Sequence, residues 1–244
     1  MTTDSTMTDS AATPRGPRPV GTVYISGGSS GLGAAVVEAV RRNGGVPVVI
    51  DRVAPKDDVE FALADLSSSA EAAAAVRELV ERVGPPDALV TAAGTDACGP
   101  LAEIDVDTWE NVVKVNLFGT VALVRACLPH LAASRGTVVT VSSTLGLKAV
   151  GDATAYCASK FGVVGFTRAL ATELAGQVGV TLLIPGGMRT AFFDGRTEQY
   201  RPGPDAVLND PADTAEAVLT ALRQPIGSEI RELVVATSTE PSWP

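Results

Sequence analysis

The stretch VGTVYISGGSSGLGAAVVEAVRRN, residues 20–43, decides the fold. Residues 20–26 read as a short buried strand, and a helix is predicted from about Gly31 to Asn43. Between them lies a turn in which glycines let the backbone bend sharply and approach a pyrophosphate with no Cβ in the way. The following helix offers free N–H groups and the positive end of its dipole to the same ligand. The stretch therefore predicts a phosphate-binding turn between a strand and a helix.

The rest of the chain continues this alternation of strands and helices. Further strands are predicted at residues 46–51, 59–63, 87–92, 136–142, 180–184 and 232–236, and helices at 69–83, 107–133 (bent near Pro129), 155–175 and 211–223. Such alternation implies right-handed crossovers and a parallel sheet covered on both faces. We predict an α/β fold: a single-domain, Rossmann-like, doubly wound parallel sheet of about seven strands. Residues 1–19 are predicted to be a disordered N-terminal tail, and 20–244 a dinucleotide-binding and catalytic domain.

Composition narrows the classes of partner. The net charge of −9, with no cluster of Lys and Arg, argues against nucleic acid and against an anionic membrane surface. No signal-peptide pattern and no apolar run near roughly 20 residues is seen, so a cytoplasmic location is expected. Three widely spaced cysteines without a CxxC motif predict no metal site, and the single histidine, His130, leaves no candidate for a histidine-dependent triad.

Further motifs follow the glycine-rich turn in a fixed order. Ser26–Gly33 reads Ser-Gly-x-x-x-Gly-x-Gly, and Thr91-Ala92-Ala93-Gly94 follows the predicted fourth strand. Asn116 lies in the long helix, and Ser143 stands thirteen positions before Tyr156 (156 − 143). Tyr156-Cys-Ala-Ser-Lys160 opens a later helix, and Pro185-Gly186-Gly-Met188-Arg-Thr190 follows the sixth strand. In this order, the motifs point to one family.

The chain resembles the short-chain dehydrogenases/reductases from about Val20 to the C-terminus. Ser26 replaces the Thr of the family's TGxxxGxG motif, and Thr91 and Ala92 replace both asparagines of its Asn-Asn-Ala-Gly motif. Without these two asparagine side chains, some of the family's hydrogen bonds around the fourth strand are in doubt. The resemblance implies an NAD(P)-dependent oxidoreductase that interconverts a secondary alcohol and a ketone.

Tyr156 and Lys160 are four residues apart on a predicted helix and so share one face. A phenol with its ordinary pKa of about 10 is a poor base at neutral pH. A nearby ammonium, helped by an oxidised nicotinamide, would lower that pKa, so Tyr156 could exchange a proton with the substrate. The resemblance also implies that Lys160 binds the nicotinamide ribose, that Ser143 hydrogen bonds to the substrate oxygen, and that Asn116 helps to hold Lys160 and a proton-relay water.

Asp51 ends the second strand, where a carboxylate can accept hydrogen bonds from the adenosine ribose. It would repel the 2′-phosphate of NADP, so NAD is expected and NADP is less favoured. Arg52 complicates this, since it could pair with that phosphate, stack on adenine or face solvent. The predicted cofactor contacts are Gly27, Ser29, Ser30, Gly31, Leu32, Gly33, Asp51, Arg52, Asp65, Leu66, Ala93, Gly94, Tyr156, Lys160, Pro185, Gly186, Met188 and Thr190.

The substrate is a small molecule, and the segment after Thr190, with Phe192, Phe193 and Tyr200, is expected to form an apolar part of its wall. An NADPH-dependent ketoreductase of secondary metabolism and a cofactor-binding scaffold that has lost catalysis remain as alternatives. Gly162 and Gly165 lie in the helix after Tyr156, where each interior glycine costs about 1 kcal/mol relative to Ala. Close packing against a second copy would explain them, so a homo-tetramer or homo-dimer is expected, although packing within one chain is an alternative.

Overall fold

The computed structural model describes residues 16–243. Seven strands form one sheet in the order β3-β2-β1-β4-β5-β6-β7, and every neighbouring pair is parallel. The predicted fold class is confirmed. The strands are β1 Thr22–Ser26, β2 Val46–Asp51, β3 Glu60–Leu63, β4 Ala88–Thr91, β5 Thr137–Val141, β6 Gly179–Pro185 and β7 Glu232–Val235.

The described residues contain six α-helices: α1 Gly31–Arg42, α2 Ser69–Arg82, α3 Val106–Val113, α4 Thr120–Ser134, α5 Thr154–Glu173 and α6 Pro211–Leu222. Helices α1 and α6 pack on one face of the sheet, and α2, α4 and α5 pack on the other. Side chains alternate along the strands, so Val23 and Ile25 join the core beneath α1 and α6, and Tyr24 joins the core beneath α2 and α4. Both faces of the central strands are buried because helices cover both. This is why the central strands are mostly apolar and do not alternate apolar and polar residues.

The predicted helix 107–133 is present over residues 106–134, but its winding changes midway. A π-helical turn, Lys114–Gly119, joins α3 to α4, and Pro129 lies inside α4. The continuous run Val106–Ser134 is long and apolar enough to cross a membrane by length and composition alone, which corrects our expectation that no such run exists. It packs against α2, α5 and β4, as a core helix does, and one such helix is weak evidence for a membrane span.

The chain folds onto the domain slightly before the predicted boundary at residue 20. Arg18 donates its backbone N–H to the carbonyl of Arg223 and its guanidinium to the carbonyl of Arg135. Residues 1–15 of the predicted tail lie outside the described part of the chain, so the disordered tail and the domain boundary stay predictions.

Strand order places the site. The chain moves outward from β1 to β2 and β3, and then returns to the other side of β1 at β4. Loops at the carboxyl ends of β1 and β4 therefore diverge, and a crevice opens between them at this switch point. The glycine-rich turn, the Ala93-Gly94 loop and Ser143 all follow strands at this edge.

Candidate active site

The turn between β1 and α1 has the geometry that its glycines predict. Gly27 and Gly31 have φ values of 71° and 53°, in the left-handed region. A Cβ at Gly33 would lie 2.1 Å from the carbonyl oxygen of Gly27, so α1 begins in direct contact with the turn. Ser30 precedes α1 without making a side-chain capping hydrogen bond. The first N–H groups of the helix thus remain available to an anionic ligand.

Asp51 ties the end of β2 to this turn. One oxygen of its carboxylate accepts the N–H of Ser29 at 3.0 Å, and the other accepts the N–H of Val53 at 3.2 Å. The Ser29 hydroxyl donates to the Val53 carbonyl at 2.6 Å. These bonds fix a negative charge at one end of the crevice, beside Arg52 and Asp65. The Ser67 backbone N–H and hydroxyl lower the pKa of Asp65, so this carboxyl is also ionised.

Three candidate catalytic side chains meet at the other end. Ser143 follows β5, while Tyr156 and Lys160 lie one turn apart on α5, and all three are buried. The Lys160 ammonium lies 5.6 Å from the centre of the Tyr156 ring and donates to the carbonyl of Val141 at 3.0 Å. The Ser143 hydroxyl accepts the N–H of Leu145 at 3.1 Å. A buried hydroxyl, a phenol and an ammonium thus line the same part of the crevice.

Asn116 lies in the π-helical turn and organises the neighbouring loop. Its side-chain oxygen accepts the N–H of Thr95 at 2.8 Å, and its amide donates to the Thr95 carbonyl at 2.9 Å and to the Ser159 hydroxyl at 3.0 Å. Its backbone carbonyl accepts from the Thr120 hydroxyl. Since Lys160 bonds to Val141, Asn116 acts on the Gly94-Thr95 loop and α5 rather than directly on the ammonium. The proton-relay water stays a prediction.

The Thr91–Gly94 loop stays attached to β1 without the two asparagines. The N–H of Ala93 donates to the Ser26 hydroxyl at 3.2 Å, and Gly27 lies so close that a Cβ there would be 2.7 Å from Ala93 Cα. The buried Thr91 hydroxyl has no hydrogen-bond partner among the described residues. In this loop, where the family has Asn-Asn-Ala-Gly, the Thr91 hydroxyl is thus the buried side-chain group left without a hydrogen bond.

The two ends belong to one cavity of about 500 Å³. The cavity extends from Asp51 and Arg52, past the glycine-rich turn, to Tyr156 and Lys160. Of the predicted residues, it is lined by Gly27, Ser30, Gly31, Leu32, Asp51, Arg52, Asp65, Leu66, Ala93, Gly94, Ser143, Tyr156, Lys160, Pro185, Gly186, Met188 and Thr190. Ser29, Gly33 and Asn116 lie behind this lining and support it. The cavity has an uncapped helix start near its middle, carboxylates at one end, and a phenol and an ammonium at the other. These groups suit a dinucleotide.

Comparisons with known proteins agree with this geometry. The family model described as short chain dehydrogenase matches residues 21–201. The chain belongs to the short-chain dehydrogenase/reductase family. It is therefore an NAD(P)-dependent oxidoreductase with a small-molecule substrate.

Individual relatives show how far the similarity extends. An uncharacterised oxidoreductase of Staphylococcus saprophyticus is 34% identical over 86% of this chain and 94% of its own length. The glycine betaine reductase of Emericella nidulans is 31% identical over 93% of this chain, which spans only 19% of that protein. An alcohol dehydrogenase from Thermococcus sibiricus, solved with 5-hydroxy-NADP, superposes with a TM-score of 0.78 at 23% identity, covering 88% of this chain and 95% of the other. That structural likeness shows the fold alone.

In this short-chain dehydrogenase/reductase, burial shifts the pKa values of Tyr156 and Lys160 in opposite directions. It raises the pKa of Tyr156 to about 12, although the adjacent Ser143 hydroxyl works against the rise. It lowers the pKa of Lys160 to about 8. The sequence suggested that the ammonium would lower the pKa of the phenol. In the protein alone, burial dominates the pKa of both groups because it disfavours their charged forms.

The substrate side contains residues that sequence reasoning missed. Arg196 forms an ion pair with Asp96 at 2.5 Å and lies over the rings of Phe192 and Phe193. Phe192 packs against Tyr156 with ring centres 5.8 Å apart, as expected of a substrate wall. Tyr200 instead donates its hydroxyl to Asp152 and does not line the cavity.

Two residues near the C-terminus, Glu240 and Ser242, also line the cavity. No sequence motif marks either residue, because they reach the site only through the path that the chain takes after β7.

Proposed function

We propose that this enzyme transfers hydride between NAD(H) and a secondary alcohol or ketone, with Tyr156 as general acid and base. One observation carries the proposal: Ser143, Tyr156 and Lys160 converge, buried, at the end of a cavity that is lined further along by the glycine-rich turn and the uncapped start of α1. The bound nicotinamide would supply or accept the hydride. Tyr156 would exchange the hydroxyl proton of the substrate, and Ser143 would hydrogen bond to the same oxygen.

The other residues of the lining hold the cofactor in this proposal. The uncapped start of α1 would bind the pyrophosphate, and Lys160 would contact the nicotinamide ribose. Thr190 lies against the turn, since a Cβ at Gly31 would be 3.5 Å from its methyl group, so the Pro185–Thr190 loop closes over the middle of the cavity. Asn116 positions α5 through Ser159.

The preference for NAD rests on Asp51. Its carboxylate is held in place by two backbone N–H groups at the predicted adenosine end, where the 2′-phosphate of NADP would meet a fixed negative charge. Two like unit charges at about 4 Å repel by roughly 4 kcal/mol at an effective dielectric constant near 20, and solvent reduces this. Arg52 lines the same end and is exposed, so solvent screens any pairing with a phosphate.

The substrate proposed is an apolar secondary alcohol or ketone. Leu145, Phe192 and Phe193 form the wall beside Tyr156. The one guanidinium on this side, that of Arg196, is already neutralised by Asp96. A multiply charged substrate would find no free cation cluster among the described residues of this wall.

We also propose a homo-oligomer through α4 and α5. Gly165 has open space where a side chain would lie, whereas Gly162 already packs within the chain, because a Cβ there would be 2.8 Å from Leu117. Phe161, four residues before Gly165 on α5, is 43% exposed, and Phe118, in the π-helical turn before α4, is 52% exposed. Gly165 and these rings would become buried against a second copy.

Substitution of Tyr156 by Phe tests the catalytic proposal. Tyr156→Phe should reduce turnover on a panel of ketones and secondary alcohols by at least about a thousandfold, because it removes only the proton-transferring hydroxyl. The dissociation constant for NAD should change less than threefold, about 0.7 kcal/mol. Tyr24→Phe is the matched control, since Tyr24 is buried and bonded to the Gly84 carbonyl away from the cavity. Turnover of Tyr156→Phe within tenfold of the parent would contradict the assignment.

Asp51→Ala tests the cofactor preference. With one substrate, kcat/KM for NADH over that for NADPH should favour NADH in the parent and fall about tenfold or more in the variant. Arg52→Ala is the companion variant at the adjacent position. A parent that favours NADPH, with the preference lost in Arg52→Ala, would transfer the selecting role to Arg52.

A further inference from the structure

The C-terminal segment, residues 237–243, crosses the mouth of the active-site cavity. After β7 the chain turns back over the loops that follow β5 and β6. Glu240 and Ser242 line the cavity together with Tyr156 and Lys160. The segment is thus a wall of the site rather than a free end.

The carboxylate of Glu240 is held in one place. One of its oxygens accepts the N–H of Gly187 at 2.9 Å, and the other accepts the N–H and the hydroxyl of Ser242 at 3.2 and 2.6 Å. A Cβ at Gly186 would lie 2.4 Å from the first oxygen. The carboxylate therefore rests directly on the Pro185–Thr190 loop.

The segment also joins this loop to the one that carries Ser143. The Ser242 hydroxyl shares a hydrogen bond of 2.6 Å with the hydroxyl of Thr144, the residue after Ser143. Lys148 donates to the carbonyl of Pro241 at 3.1 Å. Glu240 thus reaches both edges of the catalytic end of the cavity through bonds that its own segment makes.

Glu240 brings an unpaired negative charge to this end. None of the ion pairs within residues 16–243 includes it, and the cation beside its segment, Lys148, bonds to a carbonyl instead. Burial acts to raise the pKa of Glu240, but the hydrogen bonds from Ser242 and Gly187 outweigh it and hold the pKa below its usual range. The other charged groups at this end are Lys160 and Arg196, and Arg196 is paired with Asp96.

We infer that Glu240 is a cofactor-site residue whose charge makes the cavity prefer oxidised over reduced nicotinamide. The oxidised ring carries a positive charge and the reduced ring is neutral, so a fixed carboxylate stabilises the first and leaves the second almost unaffected. This inference rests on the proposed position of the nicotinamide beside the Pro185–Thr190 loop. It gives the enzyme a built-in bias towards holding the cofactor in the form that oxidises alcohols.

Binding of the two cofactor forms tests this directly, without turnover. Dissociation constants for NAD⁺ and NADH are measured by calorimetry on the full chain and on Glu240→Gln, which keeps the shape and an acceptor for Gly187 but removes the charge. The ratio of the NAD⁺ constant to the NADH constant should rise about fivefold or more. Glu216→Gln removes an exposed carboxylate on α6, and Thr144→Val keeps the Glu240 charge and its bond from Ser242 but cuts the link between Ser242 and the Ser143 loop. Both controls should leave the ratio within twofold of the parent.

The outcomes separate the inference from the proposed function. If the parent binds neither NAD⁺ nor NADH, the proposed function fails and the inference with it. If both bind and Glu240→Gln shifts the two constants equally, the cofactor proposal stands and the charge effect is refuted. If Thr144→Val moves the ratio as far as Glu240→Gln does, the effect comes from loop position, and the inference is equally overturned.

Discussion

The buried ion pair between Asp96 and Arg196 is expected to have a much larger coupling free energy than the exposed ion pairs of this protein. Their contact of 2.5 Å joins the loop after β4 to the segment after Thr190, with side chains only 6% and 18% exposed. The perturbation is a double-mutant cycle with Asp96→Asn, Arg196→Met and the combined variant. Such a cycle isolates the pairwise coupling free energy from the other effects of each substitution.

Burial sets the expected magnitude. Breaking a buried pair by removing one partner costs about 3–5 kcal/mol, because a charge is left without compensation. Here Asp96 keeps the N–H of Ala97 at 2.7 Å and the Cys98 thiol, and Arg196 keeps the Tyr200 carbonyl and two aromatic rings. These remaining partners reduce the loss, so we expect a coupling free energy of about 2 kcal/mol.

Urea unfolding at pH 7 measures the coupling, and the chain provides a matched control. Arg42 and Glu216 form an ion pair of 2.8 Å whose side chains are 59% and 57% exposed. Its cycle should give about 0.5 kcal/mol or less, as exposed pairs do. A coupling at Asp96 and Arg196 no larger than this control would refute the reasoning. Because Arg196 supports Phe192, which packs on Tyr156, Arg196→Met should also raise KM for the substrate while leaving the dissociation constant for NAD unchanged.

Two further expectations concern the helix α5. Lys160→Met should stabilise the cofactor-free protein by about 2 kcal/mol at pH 7, since a pKa lowered from 10.5 to about 8 costs about 3 kcal/mol and the bond to Val141 returns about 1. The folded protein binds the Lys160 proton less tightly than the unfolded chain does, so the stability gained in Lys160→Met should shrink as pH rises from 8 to 10.5. Chemical unfolding of parent and variant at pH 7 and pH 10 measures this, and an equal gain at both pH values would contradict it. Gly165→Leu should dissociate the proposed oligomer, seen as a lower sedimentation coefficient, whereas a parent that sediments as a monomer at micromolar concentration would remove the basis for that interface.

The fold could be predicted from the sequence because its signals are local and repeated. Buried parallel strands such as β2 are mostly apolar, and α1 follows its glycine-rich turn at once. The catalytic candidates were found for a related reason. Spacing on α5 places Tyr156 and Lys160 on one helical face, whereas Ser143 was assigned from the resemblance to the short-chain dehydrogenases/reductases.

The residues that escaped prediction depend on contacts between distant parts of the chain. Asp96 and Arg196 are one hundred positions apart, and Glu240 meets Gly187 across fifty-three. Neither contact leaves a periodic pattern, because loop paths rather than helix or strand geometry bring the side chains together. The π-helical turn at Asn116 escaped for another reason: it changes a long helix by one wide turn without interrupting its apolar pattern.

Burial has two consequences at the catalytic end, and together they make its chemistry depend on what enters the cavity. It keeps Tyr156 protonated by raising its pKa to about 12, and it makes Lys160 easier to deprotonate by lowering its pKa to about 8. The protein alone therefore holds a poor base beside an ammonium that predominates at pH 7. A positive charge bound next to Tyr156 favours the phenolate and lowers its pKa, while it disfavours the ammonium. If Tyr156 is the base of the proposal, its activation must then come chiefly from the bound ligand, and a carboxylate such as Glu240 that retains a cationic ligand serves the same end.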